Sequence, residues 1–243
     1  MSYKSAEKIF YEKHYGNSDW IFSKSIDKQN LKKNFFNFGK RYHLIDQIID
    51  RVMIKSNLLE IGCSSGDTLR YIAEVYKFQE SIGIDIAYKE KVKIEGQDNV
   101  FLMPANCNED LPFLNGSMDL IVAMMVIEHL FDPFHSFLEI KRLLSEGGVA
   151  VINLPLVTGI KNRLRLLFGK LPITSVEFSR WFDDKEWDGN HLHYFSVKSI
   201  EILCNQVGLE IIKISSVGRF TAFKNLYPQL LASELTFAVK HSL

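Results

Sequence analysis

The sequence predicts an α/β domain built on a parallel β-sheet, and three observations carry that expectation. From about Lys40 onward, short β-branched apolar runs alternate with amphipathic stretches of helical period, the pattern of successive βαβ units. The run "LLEIGCSSGDTLRYI" passes from an apolar strand through glycines and serines straight into a helix. With 243 residues, 47% of them hydrophobic, the chain can bury a core of the size such a domain needs.

In chain order, strands are expected over residues 57–61, 81–86, 100–104, 118–124 and 148–154. Helices fall between them, over 67–75, 87–94 and 133–144. From 156 to 190 the character changes, with two tryptophans and a basic amphipathic piece, "IKNRLRLLFGK". "SVKSIEILCNQVG" then reads as a helix over 196–207 that Gly208 ends. Two further strands follow, over 209–215 and 235–241, joined by a connection containing Pro228. Residues 1–39, rich in Phe, Tyr and Lys, read as helices or a lid over the domain rather than a second domain. The whole is expected to be one domain: a lid over 1–39, a core over 40–154, an insert over 155–195, and a C-terminal helix and strands over 196–243.

Twenty-nine basic residues balance 29 acidic ones, so no global field draws the chain to nucleic acid or an anionic membrane, although a local patch still can. Cys63, Cys107 and Cys204 have neither metal-type nor disulfide-framework spacing, which fits reduced thiols. The first residues lack an apolar signal core, and no run approaches the ~20 apolar residues of a membrane span. The expectation is a soluble, cytoplasmic protein without a membrane span.

Small residues at 62–66 let the backbone approach a ligand, and the N-terminus of the following helix offers unpaired N–H groups to a polar or anionic group. A tight turn without a ligand is the plainer alternative. Asp85 ends the second strand about 20 residues beyond the loop, where a carboxylate can accept both ribose hydroxyls, unless it is only a solvated strand end. Asn106, in "MPANCNEDLPF", follows the third strand within reach of an adenine, or is a turn former. A dinucleotide fingerprint would read G-x-G-x-x-G; here Glu60, Gly62 and Gly66 give E-x-G-x-x-x-G, with Ser64 in the middle, which favours S-adenosylmethionine.

The runs "LLEIGCSSGD", "IGIDIA", "LPFLNGSMDLIVAMMVIEHLFDP" and "EIKRLLSEGG" resemble, in order, the motifs of class I S-adenosylmethionine-dependent methyltransferases. The likeness is to the branch holding the ubiquinone-biosynthesis O-methyltransferases and many sugar and natural-product enzymes. It covers residues 57–154 and implies a Rossmann-like α/β fold: a seven-stranded, mostly parallel sheet with an antiparallel last strand and helices on both faces. It also implies S-adenosyl-L-methionine as cofactor, with Glu60, Gly62, Cys63 and Gly66 along its methionine part. Asp85 would hold the ribose, Ile86 would pack on the adenine, and Asn106 with the Cys107 backbone would meet the adenine edge. Met124 and Met125 fall where the chain passes beneath the reactive methyl. Glu128 and His129 resemble the tail of a Glu-x-x-Glu-His cation cluster whose first acid is replaced here by Met125. A thioether is a poor ligand for a hard cation, so no metal is expected and both residues are expected to brace the acceptor pocket.

A hydroxyl acceptor benefits from a histidine base. In "WDGNHLHYFS", His191 and His193 alternate along an extended segment, so only one can enter a given cavity. His193, Phe195 and Ser196 resemble a His, aromatic and helix-cap pattern of related methyltransferases, and His193 is the expected base. Trp181, Phe182 and Trp187 can exclude water from an acceptor. Lys161, Arg163, Arg165 and Lys170 can hold a phosphate or simply face solvent. Tyr11, His14, Tyr15 and Arg41 are expected to complete the cover, with Tyr15 reaching the cofactor's carboxylate end.

The leading expectation is methyl transfer to a hydroxyl of a small molecule: a sugar, nucleotide-sugar, lipid precursor or aromatic metabolite. Methylation of a small amine, or a non-catalytic S-adenosylmethionine-binding module, is the alternative. A nucleic-acid substrate is disfavoured because "AMMVIEHL" replaces the DPPY-type turn of adenine-amino enzymes. The expected partner is a small-molecule acceptor, and a homodimer is compatible with the sequence.

Overall fold

Strands form at each of the predicted apolar runs, and one more forms outside them. They are β1 Asn57–Ile61, β2 Glu80–Asp85, β3 Val92–Lys93, β4 Val100–Pro104, β5 Met118–Met124, β6 Leu144–Pro155, β7 Leu209–Ser216 and β8 Glu234–His241. The computed structural model describes residues 41–52, 54–175, 188, 191–218 and 220–242. The lid over 1–39 and the aromatic residues Trp181, Phe182 and Trp187 therefore lie outside the described residues.

One sheet holds all eight strands in the order β3-β4-β2-β1-β5-β6-β8-β7. The five central strands, from β4 to β6, are parallel, so Ile61, Asp85, Pro104, Met124 and Pro155 end at one edge. As expected, β8 runs antiparallel between β6 and β7.

The sheet has eight strands rather than seven, and the extra one corrects the helix expected over 87–94. "AYKEKVKI" has helix-forming composition, but Tyr88 Oη donates to the Ser64 carbonyl at 2.6 Å, and Lys91 Nζ sits 4.3 Å from the Phe101 ring centre. Val92 and Lys93 then pair antiparallel with Leu102 and Phe101. Tertiary anchoring at both ends overrides local propensity here. β6 also begins at Leu144, before the expected 148, because Leu144 already pairs with Met118 across a register shift.

Both faces of the sheet are buried, as a parallel sheet requires. Successive side chains divide between them. Leu59, Ile61, Ile121, Ala123, Ile152 and Leu154 face one core, and Leu58, Leu120, Val122, Val149 and Val151 face the other. Helices α1 (His43–Ile48) and α2 (Asp67–Tyr76) close the second core with Leu44, Ile48, Leu69 and Ile72. Helices α3 (Pro133–Leu143) and α5 (Val197–Val207) close the first with Phe137, Ile140, Ile200 and Cys204. Pro133 and the Asp132 side chain start α3, the Asp132 carboxylate accepting from His135 N–H at 3.0 Å. Ser196 caps α5, and Gly208 at φ +79° ends it. The remaining helices among the described residues, α4 (Ile160–Leu167), α6 (Thr221–Leu226) and α7 (Pro228–Leu231), lie near the carboxyl edge of the sheet.

Candidate functional site

The loop after β1 is fixed before any ligand arrives. Gly62 and Cys63 N–H both donate to the Ile84 carbonyl of β2, at 2.8 and 3.0 Å. Gly62 has φ +69°, and a Cβ there would lie 2.7 Å from a Val126 methyl. Gly66 has φ +75° and caps α2, and a Cβ there would lie 2.8 Å from a Leu102 methyl. Both positions need glycine for conformation and for space. Ser64, at φ +50°, holds a left-handed conformation without that freedom.

Asp85 ties this loop to β2. Its carboxylate accepts from Ser64 N–H and Ala87 N–H, each at 3.0 Å. Burial lifts its pKa, while the backbone N–H bonds pull the other way. A cavity of about 270 Å³ opens above it, lined by Gly62, Asp85, Ile86, Asn106, Cys107 and Met124 among others. Six of the nine residues expected at the cofactor thus share one wall. The other three lie beneath it. Glu60 is buried and accepts Leu69 N–H of α2 at 2.9 Å, Cys63 packs against Gly83, and Gly66 starts α2. Asn106 Oδ1 accepts from Asn108 N–H at 3.1 Å, so it also shapes its own turn. Desolvation pushes the half-buried Cys107 thiol up to about 12, which keeps it protonated.

A second cavity of about 500 Å³ adjoins the first. Met125 and His129 line both. Together the two reach the size of ordinary small-molecule sites. Met125 marks the junction with φ +55°, held by its N–H to the Asn153 carbonyl at 3.2 Å. A nucleoside with a polar tail fits this arrangement: an acid and a close backbone approach at one end, and an opening into a second chamber at the other.

Glu128 and His129 lie on the 3-10 turn Ile127–His129. The Glu128 carbonyl accepts from Leu192 and His193 N–H at 2.9 and 3.3 Å, which brings the segment after 190 against this turn. His191 enters the larger cavity, its ring 4.9 Å from that of His129. The expected base, His193, turns the other way. Its Nε2 lies 3.3 Å from the Phe131 carbonyl, and it lines neither cavity.

His191 is held by residues that form no motif in the sequence: Thr174 touches it, and Thr174 and Ser175 in turn bond Asp188. Asp188 accepts from Thr174 N–H at 2.6 Å, Thr174 Oγ1 at 2.5 Å and Ser175 N–H at 2.7 Å. Burial opposes its charge, but these bonds and nearby His191 hold its pKa below the usual carboxylate range. The Thr174 hydroxyl spends its proton on Asp188, so the 2.6 Å contact with His191 Nδ1 assigns that nitrogen as donor. The lone pair is therefore on Nε2. Burial, helped by His129, drives the His191 pKa down to about 4, although Asp188 opposes this, so the imidazole is neutral at pH 7. Asp188, three residues before His191, was the one sequence signal for this relay.

Glu128 is fully buried, and neither carboxylate oxygen has a hydrogen-bond partner among the described residues. Desolvation lifts its pKa to about 8. Glu128, His129 and His191 offer ligand atoms all within 4.8 Å of one another. The expectation of no metal rested on Met125 replacing an acid; His191 brings a third donor from elsewhere in the chain. Two imidazoles and a carboxylate form a set that a borderline divalent cation accepts. The rest of the wall mixes apolar residues, Pro155, Leu156 and Ile173 among them, with polar ones. Arg41 pairs there with Glu234, with Nη2 to Oε2 at 2.9 Å, and Lys161 and Asn162 also line it.

Comparison with known proteins agrees with this geometry. The family profile described as "Methyltransferase domain" matches residues 36–214. Ajmaline N-methyltransferase of Rauvolfia serpentina is 30% identical over 103 residues, covering 40% of this chain and 35% of its own length. An uncharacterized protein of Methanocaldococcus jannaschii is 27% identical over 180 residues, covering 74% of this chain and 75% of its own length. The chain thus spans about a third of the ajmaline enzyme and three quarters of the archaeal protein. A solved S-adenosylmethionine-dependent methyltransferase from Clostridium acetobutylicum superposes with a TM-score of 0.55 at 14% identity, over 99% of both chains. A chain from a complex of the Haloferax volcanii Trm112 methyltransferase activator superposes with a TM-score of 0.59 at 15% identity, over 93% of this chain and 97% of that one. With the glycine loop, the Asp85 carboxylate and the two joined cavities in place, this chain belongs to the methyltransferase-domain family, as a class I S-adenosyl-L-methionine-dependent methyltransferase.

Proposed function

We propose that the chain methylates a hydroxyl of a polar small molecule held in the larger cavity, in the cytoplasm, with His191 taking the hydroxyl proton. The cofactor supplies a sulfonium methyl, an electrophile that needs no activation by the protein. The chain's own task is to align an acceptor, exclude water and hold a proton acceptor in place.

The neutral His191 imidazole, with Nδ1–H committed to Thr174 and Asp188, carries this reading. An imidazole locked in one tautomer beside the junction of both cavities suits a hydroxyl acceptor, which must lose a proton. Glu128, protonated near neutral pH, and His129 brace the acceptor at that junction. Asp85, Gly62, Ile86, Asn106, Cys107 and Met124 hold the cofactor, with Glu60, Cys63 and Gly66 supporting their loop. Lys161 and Asn162 suit a phosphate or sugar substituent. The likeness to ajmaline N-methyltransferase supports an amine acceptor as the second reading.

The test is methyl transfer from labelled donor to panels of hydroxyl and amine acceptors. His191→Ala is expected to lower kcat on a hydroxyl by about 10²–10⁴-fold, with S-adenosylhomocysteine affinity retained. Turnover indifferent to His191→Ala, on an amine acceptor, would move the assignment to N-methylation.

A further inference from the structure

Helix α4 is inside out. Its one buried residue is Asn162, whose Oδ1 accepts Ile173 N–H at 3.1 Å. The opposite face is apolar and open: Ile160 and Leu164 are about half exposed, Leu167 is 75% exposed, and Phe168 at its end 74%. At 100° per residue these four side chains form one stripe, with Lys161 and Arg165 along one margin and Arg163 along the other. A globular helix normally buries such a stripe.

Helix α6 repeats the inversion. Asn225 faces the protein, its Oδ1 accepting Ser216 N–H at 2.7 Å, while Phe220, Phe223 and Leu226 are 77%, 60% and 79% exposed. The two helices adjoin through α7. A Cβ on Gly159, the cap of α4, would lie 2.8 Å from the carbonyl of Ala232, the cap of α7. Gly159, Lys161 and Asn162 also line the larger cavity, so the apolar face stands at its mouth.

We propose that α4 and α6 form a docking surface for an anionic lipid bilayer, presenting the larger cavity to molecules at the membrane interface. Exposed apolar area concentrated on one rim calls for a cover, and the charge pattern selects it. Residues 147–175 contain four cations, Lys161, Arg163, Arg165 and Lys170, and no acid; residues 211–233 likewise contain no acid. A two-fold contact with a second copy would set these cations against themselves. Anionic headgroups are drawn by this positive charge while the stripe enters the acyl boundary, the arrangement of an interfacial helix. None of the described helices is long and apolar enough to span a membrane, so the surface lies on the bilayer.

The test is co-sedimentation of the full chain with vesicles of phosphatidylcholine alone or mixed with phosphatidylglycerol. Binding is expected to the anionic vesicles and not the neutral ones. It should weaken as NaCl rises from about 0.05 to 0.5 M, which shortens the screening length roughly threefold. Leu167→Glu with Phe168→Glu, and separately Phe223→Glu with Leu226→Glu, should each weaken it by at least about tenfold, since each carries two apolar side chains out of lipid. Melting temperature and S-adenosylhomocysteine binding should not change, because neither pair touches a cavity. Absence of binding, or equal binding to both vesicle types, overturns the proposal. So does a concentration-dependent dimer that the same substitutions dissolve, which would give the face to a second copy.

Discussion

Replacing Glu128 by an uncharged isostere should stabilise the chain, and by more as pH rises. The carboxyl is fully buried with neither oxygen bonded to another of the described residues, and desolvation moves its pKa from an ordinary 4.5 to about 8. A nearby Glu234 adds to the shift, while its own backbone N–H and Arg41 oppose it. The folded chain therefore holds a proton that the unfolded chain has released between pH 4.5 and 8, so this group removes stability progressively as pH climbs through that window. Each pKa unit is about 1.4 kcal/mol, so the cost at pH 7 is on the order of 3 kcal/mol. Glu128→Gln cannot ionise and escapes it. For a chain of 243 residues, at about 2–4 °C per kcal/mol, the substitution should raise Tm by roughly 6–12 °C at pH 7. The gain should shrink to roughly 2–3 °C at pH 5. Scanning both proteins from pH 5 to 8 and taking the difference cancels every other titrating group. A difference that does not vary with pH would mean that Glu128 is solvated or paired, and would refute the reasoning.

Four further outcomes are expected. The acid limb of kcat/KM should bend near pH 4, the value to which burial lowers His191, because the base stays unprotonated above it; a bend near 6.5 would point to a solvated histidine instead. Gly62→Ala forces a side chain into φ +69° with its Cβ 2.7 Å from Val126, and should cost roughly 2–4 kcal/mol by urea denaturation while weakening S-adenosylhomocysteine binding. Asp85→Asn should weaken that binding by about 10–100-fold in calorimetry, the worth of a hydrogen bond to a charged group. Dialysis against EDTA should leave turnover intact, since the proposed base works without a metal; loss restored by Zn²⁺ or Mg²⁺ would make Glu128, His129 and His191 a metal site.

The cofactor half was legible because its information is local. Strand, turn and helix start lie within residues 57–76, and the pattern of apolar residues and glycines at 58–67 encodes all three. Asp85 and Asn106 could be placed because parallel strands deliver their ends to one edge. The acceptor half depends on contacts that periodicity cannot see. Arg41 meets Glu234 across 193 residues, and Thr174 reaches Asp188 and His191 from the far side of the insert. Alternation could not separate His191 from His193, since residues two apart on a regular strand share a face; here the Glu128 carbonyl accepts from both Leu192 and His193 N–H, and of the two histidines only His191 lines the cavity. Likewise "IKNRLRLLFGK" announces an amphipathic helix, but amphipathicity does not say which face meets solvent. Asn162, bonded inward, decides that.

The two cavities are mechanically joined, and the join runs through the strained residue between them. A non-glycine residue at φ +55° costs about 1–2 kcal/mol and persists only where its surroundings hold it. Met125 is held by the Asn153 carbonyl of β6; the Asn153 side chain in turn donates to Thr236 Oγ1 of β8 at 2.9 Å, and Thr236 donates to the Arg41 carbonyl at 3.2 Å. Arg41 and its partner Glu234 form part of the larger cavity's wall. A chain of hydrogen bonds thus connects Met125, where the two cavities meet, to the charged pair in the larger cavity's wall. Asn153→Leu should break it at its buried centre. If the connection sets the alignment of donor and acceptor, that substitution will lower kcat more than it raises either KM, whereas a purely structural role would lower Tm and leave kcat per folded molecule unchanged.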